Sequence, residues 1–259
     1  MSEQWLDLSR SEAGVAYLRL LAPGRMPVIS RASAQALADH LEALADDAQI
    51  RAVVLRGADA QFCAGGDIAA IAESFSDLEG RLGGIIDPLH RAVRTIRAMP
   101  QPVVASVAGA AAGAGFSLAM ACDLVICAAD ARFVVGYPAL GTSSDGGLSY
   151  TLTRRIGAQR AMDVLLLRGA LGAAEAQALG LVARVVDLDS LAAQTEALAT
   201  QLAQQPVQAV RAFKALLNQA ETGSLAELLD AERAAFLGCA ATADFRRRVD
   251  AFLSRSTRT

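Results

Sequence analysis

Residues Pro102–Asp123 read PVVASVAGAAAGAGFSLAMACD. The stretch has three parts. Val103–Ala108 is a β-rich apolar run, Gly109–Gly115 contains only Gly and Ala, and Phe116–Cys122 is a helix-compatible apolar run ended by Asp123. A loop without side chains lets backbone approach another surface closely. The first turn of a helix carries N–H groups without intrahelical acceptors, and a partial positive charge. A Gly/Ala loop opening a helix is therefore a place where main-chain amides can hold a negatively charged oxygen. Two plainer readings fit the same residues. One is a close-packed strand–helix unit with no site. The other is a membrane span, since Val103–Cys122 carries no charge and about 20 apolar residues cross a bilayer. The Ala/Gly composition and the lack of basic flanks argue against the span.

Working outward, 259 residues can bury one large core, with or without a small appendage. The apolar share is 53% but the aromatic share only 5%, so Ala, Leu and Val must fill that core. A net charge of −3 argues against a nucleic-acid or anionic-membrane partner. Cys63, Cys122, Cys127 and Cys239 form no CxxC pair and sit in apolar surroundings, which reads as buried, reduced thiols. With no basic apolar leader, the expected location is cytoplasmic. His40 and His90 are the only histidines, too few for a His-rich metal site, and no metal is expected.

Trp5–Arg10 and Val15–Leu20 alternate apolar and polar residues and predict a β-hairpin. Ser33 is expected to begin a helix reaching about Asp46, with Leu37, Leu41 and Leu44 on one face. Ala52–Arg56 predicts a buried strand, Phe62–Asp67 a Gly-rich loop, and Ile68–Phe75 a helix. Ser76–Gly84 reads as a mobile loop, and Asp87–Pro88 as the cap and first residue of a helix to about Met99. After the central stretch come short strands at Leu124–Ala128 and Arg132–Val135, a loop at Gly136–Gly147 and a helix at Leu148–Arg155. Helix, helix and strand follow at Ala161–Arg168, Ala173–Leu179 and Val182–Val186. Beyond Ser190 the pattern is helical throughout, so the domain boundary is expected between residues 195 and 196: an α/β core over 1–195 and a helical region over 196–259. Strand, Gly-rich loop and helix recur at Ala52–Phe75, Val103–Cys122 and Arg132–Arg155, an arrangement that brings loops to one edge for a ligand.

The loops Cys63–Asp67 and Gly109–Gly115 match neither GxGxxG nor GxxxxGK[ST]. Together they can each offer one N–H to a single oxygen, as an oxyanion hole does, or they can be two close-packed turns. Asp145, in SSDGG, is either the N-cap of Leu148–Arg155 or a carboxylate base or nucleophile in an apolar pocket. His90 lies beside the Leu89/Val93/Ile96 stripe, at the core boundary or in a site. A serine hydrolase is disfavoured, because Gly115-Phe116-Ser117-Leu118-Ala119 fails GxSxG at its last position.

These residues resemble the crotonase (enoyl-CoA hydratase/isomerase) superfamily. The matching motifs are Phe62–Ile68, Pro102-Val103…Gly109…Gly113–Ala119…Cys122–Leu124, Asp145–Gly147…Leu152–Arg155…Gly157, Ala173…Ala176…Leu179–Val182, and Asp244–Arg246…Ala251–Leu253. They run in order over nearly the whole chain. The resemblance implies an α/β fold, a spiral of repeated ββα units with a helical C-terminal trimerisation region. It implies an acyl-CoA thioester as substrate, no cofactor beyond its CoA moiety, and self-association as a homotrimer or a dimer of trimers. The oxyanion hole would be the N–H groups of Gly66 and Ala114. CoA contacts would fall at Arg25, Val28, Ala64, Asp67 and Ile68, and across a subunit interface at Phe252 and Arg255.

The chain departs from the family at several positions. The two water-holding glutamates of the hydratases align with Ser117 and Tyr137, neither of which is a carboxylate. Relatives that shift a double bond have an aspartate matching Asp145, and one acid can move a proton between two carbons. The resemblance therefore favours isomerisation. Alternatives are hydration by another water-holding group, a 4-chlorobenzoyl-CoA dehalogenase-like reaction, or an acyl-CoA-binding trimer without catalysis. Asp145 and His90 match the dehalogenase, but Leu89, Tyr137 and Gly66 replace its aromatic pocket. At the N-terminal loop, Pro27 removes an N–H where relatives grip adenine.

Overall fold

The computed structural model describes residues 5–22, 26–58, 60–72 and 76–256. The chain divides into two compact units, 1–203 and 204–259. In the first, strands β1 (Leu6–Arg10), β2 (Val15–Leu20), β3 (Ala52–Arg56), β4 (Val103–Val107), β6 (Leu124–Ala128) and β9 (Arg184–Val186) form one sheet in the order β1-β2-β3-β4-β6-β9. Only the β1–β2 hairpin is antiparallel in this sheet. A smaller sheet joins β5 (Ala110–Ala112), β7 (Arg132–Val134) and β8 (Ala170–Gly172). Isolated bridges at Ile29–Gly66 and Cys63–Ala111 continue the same inner layer.

The chain thus repeats one turn: a strand in the large sheet, an extended segment in the inner layer, then a helix. This is the expected spiral of ββα units. The helices are α1 (Arg31–Asp46), α2 (Ile68–Ala72) with α3 (Leu78–Ala98), α4 (Ala114–Ala121) and α5 (Leu148–Ile156). Alternation along the strands sets the two faces of the large sheet. Val53, Leu55, Val103, Ala105 and Val107 face the main core, while Ala52, Val54 and Val104 face a second cluster. After α6 (Ala158–Asp163) and α7 (Ala173–Ala178), α8 (Leu188–Ala203) closes that second face through Leu191, Leu198 and Ala199. Ser106 of β4 also meets Thr195 of α8, hydroxyl to hydroxyl at 2.9 Å. The boundary expected at 195/196 therefore falls inside a helix that packs on the sheet, and the division lies at its end, between Ala203 and Gln204.

Several boundaries differ from expectation for local reasons. Helix α1 starts earlier, because Ser30 is its cap and Ser33 closes a capping box. Helix α3 begins at Leu78, capped by Asp77, and runs through Pro88; no helix begins at Asp87, and residues 78–84 are helical rather than loop. The missing N–H of Pro88 costs one backbone hydrogen bond, which a long helix packed on α1 tolerates. Ala110–Ala112, read as loop, pairs with β7 as a strand despite the weak strand preference of alanine. Residues 164–168, expected as α-helix, form a wider π-type turn. Residues 73–75 of the expected helix Ile68–Phe75 lie outside the described residues. Cys63, Cys122 and Cys127 are buried free thiols, whereas Cys239 is half-buried. Among the described residues no helix is long and apolar enough to cross a membrane.

Helix α4 is buried on all sides, as a helix that is apolar but for Ser117 requires. Its end is fixed by two tethers. Val103 N donates to Asp123 Oδ2 at 2.7 Å, and Arg155 Nη2 of α5 donates to Cys122 O at 3.1 Å. The second unit holds α9 (Val207–Ala220), α10 (Leu225–Ala240) and α11 (Ala243–Ser256). Phe213, Leu216, Leu229, Phe236 and Phe245 line an apolar groove of about 690 Å³ in it.

The close approach of α4 to the inner layer is testable at Gly115. A Cβ there would lie 2.5 Å from Cys63 O and 2.7 Å from Cys63 Cβ. Helix propensity alone favours Gly→Ala by about 1 kcal/mol. Overpacking against main chain, costing about 1–3 kcal/mol or more, should outweigh it. Gly115→Ala is thus expected to lower the midpoint of urea unfolding; a raised midpoint would show that the contact yields freely.

Candidate active site

The inner layer brings the two Gly-rich loops together. Cys63 N donates to Ala110 O at 3.0 Å, and Ala112 N donates to Cys63 O at 2.8 Å. On the other side Ala64 N donates to Pro27 O and Ile29 N to Gly65 O, each at 2.7 Å, and Asp67 N donates to Ile29 O at 3.0 Å. These bonds leave two amides over. Among the described residues neither Gly66 N nor Ala114 N has an acceptor. Both residues line one cavity of about 360 Å³, with Ala114 in the first turn of α4. Cys63 also lies at this junction, but burial pushes its thiol up to about 12, so it is inert as a nucleophile.

One wall of the cavity is apolar, with Ile68, Leu82, Ile85, Ile86 and Leu89 from α2 and α3 and Leu140 beside them, while Thr142, Ser143 and Ser144 line it next to Asp145. Its carboxylate is Asp145. The capping reading of this residue fails: the cap position of α5 is Gly147, and no side chain caps the helix. Instead Asp145 Oδ1 accepts from His90 Nε2 at 2.5 Å. Among the described residues no side chain donates to Oδ2. His90 is displaced from the buried stripe of α3, which is Leu89, Ala92 and Ile96, and so is free to reach across.

Ser117 and Tyr137 meet at the floor of this loop. Ser117 Oγ lies 2.8 Å from Tyr137 Oη and donates to the main-chain oxygen of Asp145 at 2.7 Å. Tyr137 Oη is 3.3 Å from the same oxygen. Burial raises the Tyr137 pKa, with the Ser117 hydrogen bond opposing, and the phenol stays a donor at neutral pH.

The other expected site residues divide. Ala64 and Ile68 line the cavity, Ile68 being 45% exposed at its edge. Asp67 accepts from Ala70 N at 3.2 Å and so caps α2 rather than entering the cavity. Val28 is half-buried, and its carbonyl accepts from Ser33 Oγ at 3.0 Å. Phe252 is exposed in the second unit and is not among the lining residues. Arg25 and the side chain of Arg255 lie outside the described residues. Sequence reasoning missed Gly146, which seats the Asp145 loop on α4 with φ +58°; the paired glycines after Asp145 were the available signal. Among the described residues no group of His, Cys, Asp and Glu is arranged to hold a metal.

Comparison with known proteins gives a consistent result. The family model described as enoyl-CoA hydratase/isomerase matches residues 10–258. The 1,2-epoxyphenylacetyl-CoA isomerase of Escherichia coli K12 is 36% identical over 249 residues, covering 96% of this chain and 95% of the relative. The crotonyl-CoA hydratase of Syntrophomonas wolfei is 31% identical over 245 residues, covering 94% and 93%. The crystal structure of an enoyl-CoA hydratase from Polaromonas sp. JS666 superposes with a TM-score of 0.91 at 32% identity, covering 96% of this chain and 97% of that one. A match of this extent, on a ββα spiral whose inner layer leaves two amides open to one cavity, means that the chain belongs to the enoyl-CoA hydratase/isomerase family.

Proposed function

We propose that the protein isomerises an unsaturated acyl-CoA thioester by moving a double bond. The observation that carries this reading is the Asp145 carboxylate lining the same apolar cavity as the open amides of Gly66 and Ala114. The thioester oxygen accepts from both amides. Asp145 takes a proton from the carbon next to the carbonyl, and the electron pair moves onto that oxygen as an enolate. Asp145 then returns the proton two bonds away, the double bond shifts toward the carbonyl, and the carboxylate is restored. Mass is unchanged between substrate and product. Such a proton is acidic enough only if the developing charge meets preorganised donors, and the amides of a rigid layer are preorganised. His90 holds Oδ1, which leaves Oδ2 to carry the proton.

Ser117 and Tyr137 supply no second carboxylate, which disfavours water addition by paired acids. The relative that is an isomerase by name supports the same class. Hydration remains the second reading because other relatives, such as the crotonyl-CoA hydratase, are hydratases by name. The CoA moiety is the only cofactor-like group required. In this reading it is held near Val28, Ala64, Asp67 and Ile68, together with Arg25 and with Phe252 and Arg255 of a neighbouring copy. Exposed Phe213, Phe236 and Phe252, at 67%, 67% and 71%, support burial of the second unit in a homotrimer or a dimer of trimers.

Asp145→Asn should abolish double-bond migration across a panel of unsaturated acyl-CoA esters while ester binding survives. Retained turnover would sink the isomerase reading, and rapid loss of crotonyl-CoA absorbance by the parent protein would establish hydration instead. Sedimentation velocity at micromolar concentration should give three or six chains per particle; a monomer would contradict the assembly.

A further inference from the structure

The carboxylate of Asp145 is held by His90, but its main chain is held from the opposite side by two uncharged residues. Ser117 has a single hydroxyl proton, and its shortest acceptor is Asp145 O at 2.7 Å. Tyr137 Oη, 2.8 Å from Ser117 Oγ, also donates to Asp145 O, at 3.3 Å. Both hydroxyls thus reach the same carbonyl, and Ser117 Oγ also lies 3.2 Å from Gly113 O. Ser117 is 1% exposed, whereas Tyr137 is half-buried at the cavity. The next residue, Gly146, rests directly on Ser117. Its φ is +58°, and a Cβ there would lie 2.9 Å from Ser117 Cβ and 3.7 Å from Leu89 Cδ2. The peptide after Asp145 thus sits on α4, at a height set by the small side chain at 117. A longer side chain at 117 would have to displace the loop.

We propose that Ser117 and Tyr137 are positioning residues for Asp145, a pair of neutral hydroxyls that fixes its main chain so that the carboxylate stays in the cavity beside the Gly66 and Ala114 amides. The catalytic consequence rests on the proton-shuttling role given to Asp145 above. Geometry alone carries the rest, because His90 can hold the carboxylate in one place only if the backbone bearing it does not move. The positions that the family resemblance assigns to hydratase acids then serve here as the seat of a different acid. Ser117→Glu would evict that acid rather than restore a hydratase.

The test uses the full chain with Tyr137→Phe, Ser117→Ala and the double variant, none of which adds volume. Histidine is labelled with nitrogen-15, and the Nε2–H resonance of His90 is followed. The chain has 2 histidines, so His90→Gln assigns the signal. In the parent this proton is hydrogen-bonded to Asp145 and should resonate downfield and exchange slowly with water. In the variants it should broaden and exchange at least roughly tenfold faster, as expected for a loosened partner. For an ester that the parent isomerises, kcat should fall roughly ten- to hundredfold through misplacement of the base. KM should change by less than about twofold, because the lost interaction acts on the reacting step. The double variant should be at least as impaired as the worse single one, since each hydroxyl holds the same carbonyl. If the double variant does not fold, Tyr137→Phe alone, which keeps the ring, decides. A His90 signal that survives unchanged overturns the proposal whatever the activity. A parent that isomerises no ester defeats the functional reading only, and the resonance still decides the positioning.

Discussion

Two hydrogen bonds on either side of Cys63, to Ala110 O and from Ala112 N, hold the whole site in register. They tie the loop after β3 to the segment after β4, and so fix the distance between Gly66 and the first turn of α4. Gly115 makes the approach possible, because no side chain fits between α4 and Cys63. The large sheet stacks the strands that feed both loops in parallel, and α4 is anchored at its far end by Asp123 and Arg155. An amide that is aimed by such a layer does not reorganise when charge develops on its acceptor, which is what stabilisation of an enolate requires. The cost is two amides that have no acceptor among the described residues, which in the proposed reaction the thioester oxygen supplies.

The two open amides and the carboxylate come from different turns of the spiral. Gly66 follows β3, Ala114 follows β5, and Asp145 follows β7. The acid is aimed by a histidine from α3 and by hydroxyls from α4 and from Tyr137. In the proposed reaction this division matters. The amides must stay rigid, whereas the carboxylate must reach two carbons, so it is held firmly at one oxygen and at its backbone while the other oxygen remains available.

Much of this was legible in the sequence, and the exceptions have physical causes. The strand over Ala52–Arg56 and the hairpin partner Val15–Leu20 followed from β-branched and alternating residues alone. Residues 78–84 escaped, because glycine and charge mask a helix that Asp77 caps and that continues unbroken into the buried stretch from Pro88. Pro88 misled for the same reason, since a proline read locally marks a start, and only the packed helix shows it to be interior. Strand β5 was hidden by an Ala/Gly composition that has no strand preference of its own and is extended only through its neighbours. Asp145 and His90 were each visible as candidates, but 55 positions separate them, and no local pattern reports that they touch. The contact of Ser117 with Tyr137 is of the same long-range kind, and it turns two apparent losses into a support.

The central claim is that main-chain amides, and not the acid, polarise the thioester. Difference infrared spectroscopy of a ¹³C-carbonyl-labelled unsaturated acyl-CoA bound to the protein tests this directly. The account predicts a carbonyl stretch at lower frequency than in free solution, and the same lowering with Asp145→Asn, because the donors are the amides of Gly66 and Ala114. A bound carbonyl that absorbs at the frequency of the free ester, or a shift that disappears with the acid, would contradict it.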